Sequence, residues 1–250
     1  MSRVIGIIPV RLESTRLPRK ALRLICGHSI VEWVYRRALG WPGFARLVVA
    51  TDSEEVMAHC GALGVPATLT SSAHRSGSDR VIEVMGREPA DLYVNIQGDE
   101  PMVTAHHIEL LTAPFREQKG TAVSTLKVAI TPEEAANPND VKVVTDRNGR
   151  ALYFSRSPIP YNRAGSGGVR YYKHLGFYAY TREALAMFGS LAPSELESAE
   201  ALEQLRFLEN GIPIDVMETA EDTVGVDTEE DLRKVEEHFY RENIALPELR

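Results

Sequence analysis

The run VIGIIPV, residues 4–10, has no polar side chain in it. A short, continuous apolar run bounded by a loop fits a parallel strand covered on both faces. Such a strand needs helices on either side of its sheet, which commits the chain to an α/β architecture. The first half keeps that rhythm. A helix is expected near residues 29–39. A strand over 47–51 leads into Asp52, which reads as the N-cap of a helix over 53–63. A short strand at 67–69, a helix from about Ser78, a strand at 92–97, a helix near 105–116 and a strand at 122–128 follow. The alternation predicts a doubly wound, mostly parallel sheet.

The second half breaks the rhythm. VKVVTDRNGRALYFSR reads as a hairpin turning at Asn148-Gly149. SPIPYNRAGSGG is expected to be an exposed loop, and YYKHLGFYAY a further strand. This block predicts an antiparallel flap set on the sheet. A helix is expected over 195–209, ending at Asn210-Gly211, with Leu196, Ala199, Leu202, Leu205 and Leu208 facing the core. A strand at 214–217 and a polar helix starting at Thr228 complete the chain. The acids Glu229, Glu230 and Asp231 suit the positive end of that helix dipole.

The apolar strand at 4–10 runs into RLESTRLPRK, where Arg11, Arg16, Arg19 and Lys20 surround Ser14 and Thr15 and only Glu13 opposes them. Loops beyond the carboxyl ends of parallel strands are where α/β proteins bind ligands. Arg offers planar forks to phosphate oxygens and Lys a point charge, so the loop suits a polyphosphate. The bland alternative is a solvated charged loop, and the position after the first strand argues against it. No Walker sequence and no G-x-G-x-x-G occurs.

The net charge of −7 sharpens this, because an acidic protein binds an anion through a local cationic pocket or a metal, and a general nucleic-acid surface is excluded. The length of 250 residues suits one large domain, or one with a small subdomain. The 2 cysteines, Cys26 and Cys60, lack metal-type spacing and read as free thiols in a reducing cytoplasm. No stretch is long enough for a membrane span, and no signal leader is evident.

Further acids stand where chemistry is expected. In QGDEP, Gly98 allows a tight turn at a strand end and leaves Asp99 projecting from the carboxyl edge, where it suits Mg²⁺ or serves as a turn-stabilising acid. Asp227, in GVDTEED, is an ordinary loop acid unless it converges with Asp99 on one metal. Glu203 and Gln204 read as a solvated helix face, and His174 as a packed strand histidine.

Taken together, the chain resembles the cytidylyltransferases that activate 3-deoxy-manno-octulosonate (Kdo). The matching pieces are IIPVRLESTRLPRKAL, VVATD, RSGSDR, VNIQGDEP, NPNDVKVV, ALYFSRSPIPY, YYKHLGFYAY, LEQLRFLENG and GVDTEEDL, in the family's order over nearly the whole length. The resemblance implies a Rossmann-like nucleotide-diphospho-sugar transferase fold, in a single domain over 1–250 with a flap and dimerisation insertion at about 141–180. It implies a homodimer, a cytoplasmic location, and no nucleic-acid or membrane partner. It implies a Mg²⁺-dependent reaction in lipopolysaccharide synthesis: CTP plus Kdo gives CMP-Kdo and diphosphate. The alternative is the same chemistry on 8-amino-Kdo or another ulosonic or sialic acid.

By motif match, Arg11, Ser14, Arg16 and Lys20 would hold the triphosphate, and Ser76, Asp79 and Arg80 would help enclose the cytidine, largely through backbone groups. Asp99 and Asp227 would ligate Mg²⁺ and, with Lys20 and Arg11, form the catalytic set. Gln97, Arg156, His174, Tyr178, Glu203 and Gln204 would line the sugar-acid pocket. For Arg156 the competing role is a salt bridge in the flap or the dimer interface. One departure stands out: where the family often has a small residue between Pro18 and Lys20, this chain has Arg19, which strains the backbone if that position needs φ > 0. Two rivals remain. A glycosyltransferase would usually show a D-x-D pair, absent around Asp99, and a silent nucleotide-binding regulator should have lost a metal carboxylate or the basic loop.

Overall fold

The computed structural model describes residues 2–74, 76–117, 120–165 and 168–249, so Arg75 of RSGSDR and Ser166 and Gly167 of the Pro-Gly loop lie outside the described residues. The chain divides into two compact units, Met1–Glu109 with Thr223–Arg250, and Leu110–Asp222.

The first unit contains β1 (Val4–Val10), the small ribbon β2 (Leu24–Ile25) and β3 (His28–Ser29), α1 (Ile30–Leu39), β4 (Arg46–Thr51), α2 (Glu54–Ala62), β5 (Ala67–Leu69), α3 (Gly77–Arg87) and β6 (Leu92–Asn95). The division falls within α4 (Ala105–Glu117). β1 pairs in parallel with β6 on one side and β4 on the other, and β5 adds in parallel beyond β4. Every residue of β1 is buried, as its continuous apolar run requires. α1 and α3 pack on it.

Helix starts follow local chemistry. Ser29 caps α1 by accepting from Glu32 N, and Ser76 and Asp79 form a reciprocal capping box on α3; caps of this kind stabilise a helix by about 1 kcal/mol. The helix near 53–63 departs from expectation at its first residue. Ser53, not Asp52, caps α2, because the Asp52 carboxylate is engaged elsewhere, by Arg80. Gly98 also departs in its reason. It carries no left-handed φ; instead, a Cβ there would stand 2.7 Å from the Pro9 carbonyl oxygen, so glycine lets the segment after β6 pass against β1.

The second unit contains β7 (Val123–Ile130), α5 (Pro132–Ala135), β8 (Lys142–Thr145), β9 (Ala151–Ser155), β10 (Tyr171–Thr181), α6 (Arg182–Ser190), α7 (Glu195–Glu200), α8 (Leu205–Glu209) and β11 (Ile214–Thr219). β11 pairs with β7 in parallel and β10 with β7 antiparallel. β8 pairs with β10 and forms the expected hairpin with β9, turning through Gly149 at φ 82°. The chain then returns to the first unit as α9 (Glu229–Arg241), with Thr228 and Asp231 forming its capping box.

The single helix expected over 195–209 is two. α7 stops at Ala201, which adopts a left-handed φ of 52°, and α8 begins only at Leu205. Leu196 and Ala199 are exposed, not core. Polar contacts outweigh the helical register here. Glu197 and Arg206 form a largely buried pair, with Arg206 Nε donating to Glu197 Oε2 at 2.7 Å. The Glu200 carboxylate accepts from Ser155 Oγ at 2.6 Å and from Arg156 N at 2.9 Å.

Breaking the Glu197–Arg206 pair should be costly, because it strands a buried charge. Arg206→Ala is expected to lose about 3 kcal/mol of unfolding free energy in a denaturant titration. The pair also sets an acid sensitivity. Burial pushes the Glu197 carboxyl up, but its bonds from Arg206 and Ser194 N outweigh that, and the net shift is downward. Stability from a depressed carboxylate is complete above its unfolded pKa and is lost as pH falls through the lower native value. Glu197→Gln should therefore flatten the acid limb of the stability profile. Gly98→Ala should lower stability by about 1–3 kcal/mol through overpacking against β1, read as a drop in Tm.

Candidate active site

β1 delivers the basic loop to the carboxyl edge of the parallel sheet. Leu17, fully buried, anchors the loop, and its N–H approaches Ser14 Oγ at 3.4 Å. Arg19 takes the left-handed conformation, φ 57°, and its side chain pairs with Glu55. A 3-10 turn, Lys20–Leu22, follows. The strain anticipated for a non-glycine residue at position 19 is present, and the Glu55 pair holds the side chain outward.

Lys20 is the centre of the site. Its ammonium donates to Asp99 Oδ2 at 2.6 Å and to Asp227 Oδ1 at 2.8 Å. The other oxygen of Asp227 accepts from Arg16 at 2.8 Å. Asp99 stands just beyond β6 and Asp227 just before α9, and Val226 N donates to the Asp99 carbonyl at 2.8 Å, which ties the segments together. Burial alone would lower the Lys20 pKa, but the two carboxylates outweigh it, and the net shift is upward. Lys20 is thus a fixed cation, unsuited to act as a base.

Asp99 and Asp227 thus meet at one cation, the Lys20 ammonium. Both stay partly open, with side chains 33% and 40% exposed. Among the described residues no group of three or more His, Cys, Asp or Glu side chains is placed to hold a metal. Two oxygen donors nonetheless fit Mg²⁺, which binds through one or two carboxylates and completes its shell with water and phosphate oxygens.

Arg11 is exposed and makes no ion pair among the described residues, so its fork is available. It borders two neighbouring cavities. One, of about 460 Å³, is lined by Lys20, Asp99, Asp227, Arg80 and Gln97. The other, of about 860 Å³, is lined by Leu12, Arg19, Asp52, Ser72 and His74. The cavities share Arg11, Glu13, Ser14 and Thr15. Ser76 and Asp79 spend their side chains on the α3 cap. Arg80 is fully buried; its guanidinium donates to Asp52, to Thr70 Oγ1 at 2.7 Å and to Ser71 O at 3.3 Å.

The expected sugar-acid residues other than Gln97 lie in the second unit and cluster there. A β-bulge interrupts β10 between Leu175 and Tyr178. Thr125 Oγ1 donates to the Phe177 carbonyl at 2.7 Å and stands 2.9 Å from His174 Nε2. The His174 ring lodges against Phe154 and Tyr178, with centroids 5.0 and 5.4 Å away, and burial pushes its pKa down to about 3. It is a neutral, packed histidine. Tyr178 is raised well above the usual phenol range by burial, then by Tyr180 and Glu203. Gln204 is buried and Glu203 half-buried, in the turn between α7 and α8, so neither lies on a solvated helix face. Arg156 commits its Nε to the Glu200 carbonyl at 2.8 Å and an Nη to the Pro138 carbonyl at 3.2 Å. The Arg156 backbone N–H donates to the Glu200 carboxylate, while its guanidinium binds these backbone carbonyls.

Sequence reasoning missed two polar residues here. By sequence Asp52 looks like a helix cap, although its place after β4 on the ligand-bearing edge is a signal. The other is Lys142. It is fully buried, and its ammonium donates to the carbonyls of Asn137, Asp140 and Arg156 at 2.8, 2.5 and 2.6 Å. A lysine inside an apolar strand was the available signal.

Comparison with known proteins shows the family. A family model described as cytidylyltransferase matches residues 5–219. A 3-deoxy-manno-octulosonate cytidylyltransferase of Acidobacterium capsulatum is 54% identical, over 94% of this chain and 95% of the relative. One from Escherichia coli is 46% identical, over 94% and 95%. A solved structure of CMP:2-keto-3-deoxy-manno-octonic acid synthetase complexed with CTP superposes with a TM-score of 0.93 at 45% identity, covering 96% of this chain and all of that one. With a basic loop, a shared-cation carboxylate pair and an α/β frame of this kind, the chain belongs to the cytidylyltransferase family, among the 3-deoxy-manno-octulosonate cytidylyltransferases.

Proposed function

We propose that this protein transfers a cytidylyl group from CTP to 3-deoxy-manno-octulosonate, giving CMP-Kdo and diphosphate. The observation that carries the reading is the meeting of Lys20, Asp99 and Asp227 beside the unpaired fork of Arg11, in a chain 54% identical to a named enzyme of that activity. The anomeric hydroxyl of the sugar acid attacks the α-phosphorus, and diphosphate departs in line. Such displacements depend on positioning and charge neutralisation more than on covalent catalysis.

Arg11 and Lys20 set positive charge against the phosphates, where negative charge grows on the leaving group. Arg16, held on Asp227, keeps that carboxylate oriented. Asp99 and Asp227 would hold Mg²⁺. When bound, the ion would neutralise phosphate charge and make the attacking hydroxyl more acidic. In the second unit, Tyr178, Glu203 and Gln204 are polar groups fixed in a packed setting, suited to a polyhydroxy acid. His174 stays neutral at physiological pH, so it orients a ligand and does not ionise against it.

The protein acts as a homodimer. Support comes from large apolar side chains left exposed in the second unit, Leu152 at 62% and Tyr161 at 86%. It works in the cytoplasm, where CTP is available and its free thiols stay reduced, in the synthesis of lipopolysaccharide. No helix among the described residues is long and apolar enough to cross a membrane.

Diphosphate release should require CTP, Mg²⁺ and Kdo together, with UTP, sialic acid, 8-amino-Kdo and sugar-free reactions as controls. Release with a different sugar acid alone would move the substrate, and none with any acid would end the proposal. Asp99→Asn should cut kcat about 100-fold while CTP affinity, measured by calorimetry, changes far less. Unchanged kcat would remove Asp99 from the metal role.

A further inference from the structure

The turn that carries Glu203 and Gln204 exists because α7 stops early, and Glu200 is where it stops. Ala201, the next residue, adopts a left-handed φ of 52°, a conformation that costs an L-residue steric energy. Contacts from outside the helix hold the break. The Glu200 carboxylate spends both oxygens on the end of β9, accepting from Ser155 Oγ at 2.6 Å and from Arg156 N at 2.9 Å. Tyr153 of the same strand adds a hydroxyl donor. Burial pushes the Glu200 carboxyl up, but these donors and the Arg156 charge outweigh it, and the net shift is downward. A return contact comes from Arg156, whose Nε donates to the Glu200 carbonyl at 2.8 Å and so satisfies a free carbonyl at the end of α7. Lys142 fixes Arg156 in turn, through the Arg156 carbonyl at 2.6 Å. The turn after Ala201 starts from this anchor. Within it Gln204 is buried, and the Glu203 charge acts on Tyr178.

Were α7 to continue through Ala201, its register would carry Glu203 and Gln204 onto different faces of one helix. The break sets both residues in one short turn instead. We propose that Glu200 is a positioning residue for the sugar acid: it fixes the break after α7 so that Glu203 and Gln204 meet Kdo in the geometry that binds it. The inference rests on Kdo being the substrate and on Glu203 and Gln204 lining its pocket, and it names the residue that sets them there.

The test is KM for Kdo and KM for CTP, by diphosphate release with Mg²⁺, in the unmodified protein and in Glu200→Gln. Glutamine keeps the length but carries no charge and offers one acceptor oxygen in place of a carboxylate's pair. KM for Kdo should rise at least about 10-fold, the worth of a lost charge-assisted hydrogen bond, while KM for CTP stays within about twofold. A KM for Kdo within about twofold of the unmodified protein's, or both KM values rising together, overturns the inference and leaves the CTP reaction standing. Failure of the unmodified protein to use Kdo removes both. If Glu200→Gln shows no cooperative melting curve, Tyr153→Phe decides, because it removes only one hydroxyl donor from a half-buried residue. KM for Kdo is then expected to rise about threefold or more with KM for CTP unmoved, and an unchanged KM for Kdo overturns the inference.

Discussion

The Lys20 ammonium sits between Asp99 and Asp227, and much of the first unit is arranged to bring these groups within 2.8 Å. β1 must end where the basic loop begins, β6 must lie beside it, and the segment before α9 must return to meet both. Gly98 lets the chain after β6 pass against Pro9, and the Val226 bond to the Asp99 carbonyl fastens the return. The cation neutralises the mutual repulsion of two acids held close together. A single ammonium thus prepares a site for both a divalent cation and a polyphosphate.

Elsewhere buried charge serves as a structural tie. Arg80 is wholly enclosed and tied to Asp52, Thr70 and Ser71. Lys142 is equally enclosed but binds backbone carbonyls in place of an acid, clasping the segment around 137–140 to the end of β9. Arg156 carries that tie onward to Glu200 and the break after α7. Each tie is expensive to break, because an unpaired charge in a packed interior loses its hydration without compensation. These ties determine where Glu203 and Gln204 stand more than helical propensity does.

The parallel frame was legible because a strand buried on both faces writes itself as an unbroken apolar run, and helix caps write themselves as Ser or Thr with an acid three residues on. β1, the hairpin at Gly149 and the start of α9 were therefore readable. Asp52 misled because Asp at a helix start and Asp in an ion pair look alike until the partner, 28 positions away, is known. The 195–209 segment misled for a related reason. Its leucines recur with helical spacing, but Ser155 and Arg156 hold Glu200 at the end of α7, just before the break at Ala201, and only folding brings them near.

By itself, then, the sequence determined the α/β class, the basic loop on the first strand and the family's chemistry, because local periodicity and contiguous motifs need no partner to be read. Tertiary structure decided that Asp99 and Asp227 share one cation, that Asp52 belongs to Arg80, and that His174 is held neutral. Those properties depend on distance and burial between residues far apart in the chain, and charge interactions are set by separation and surrounding dielectric, which no linear spacing encodes.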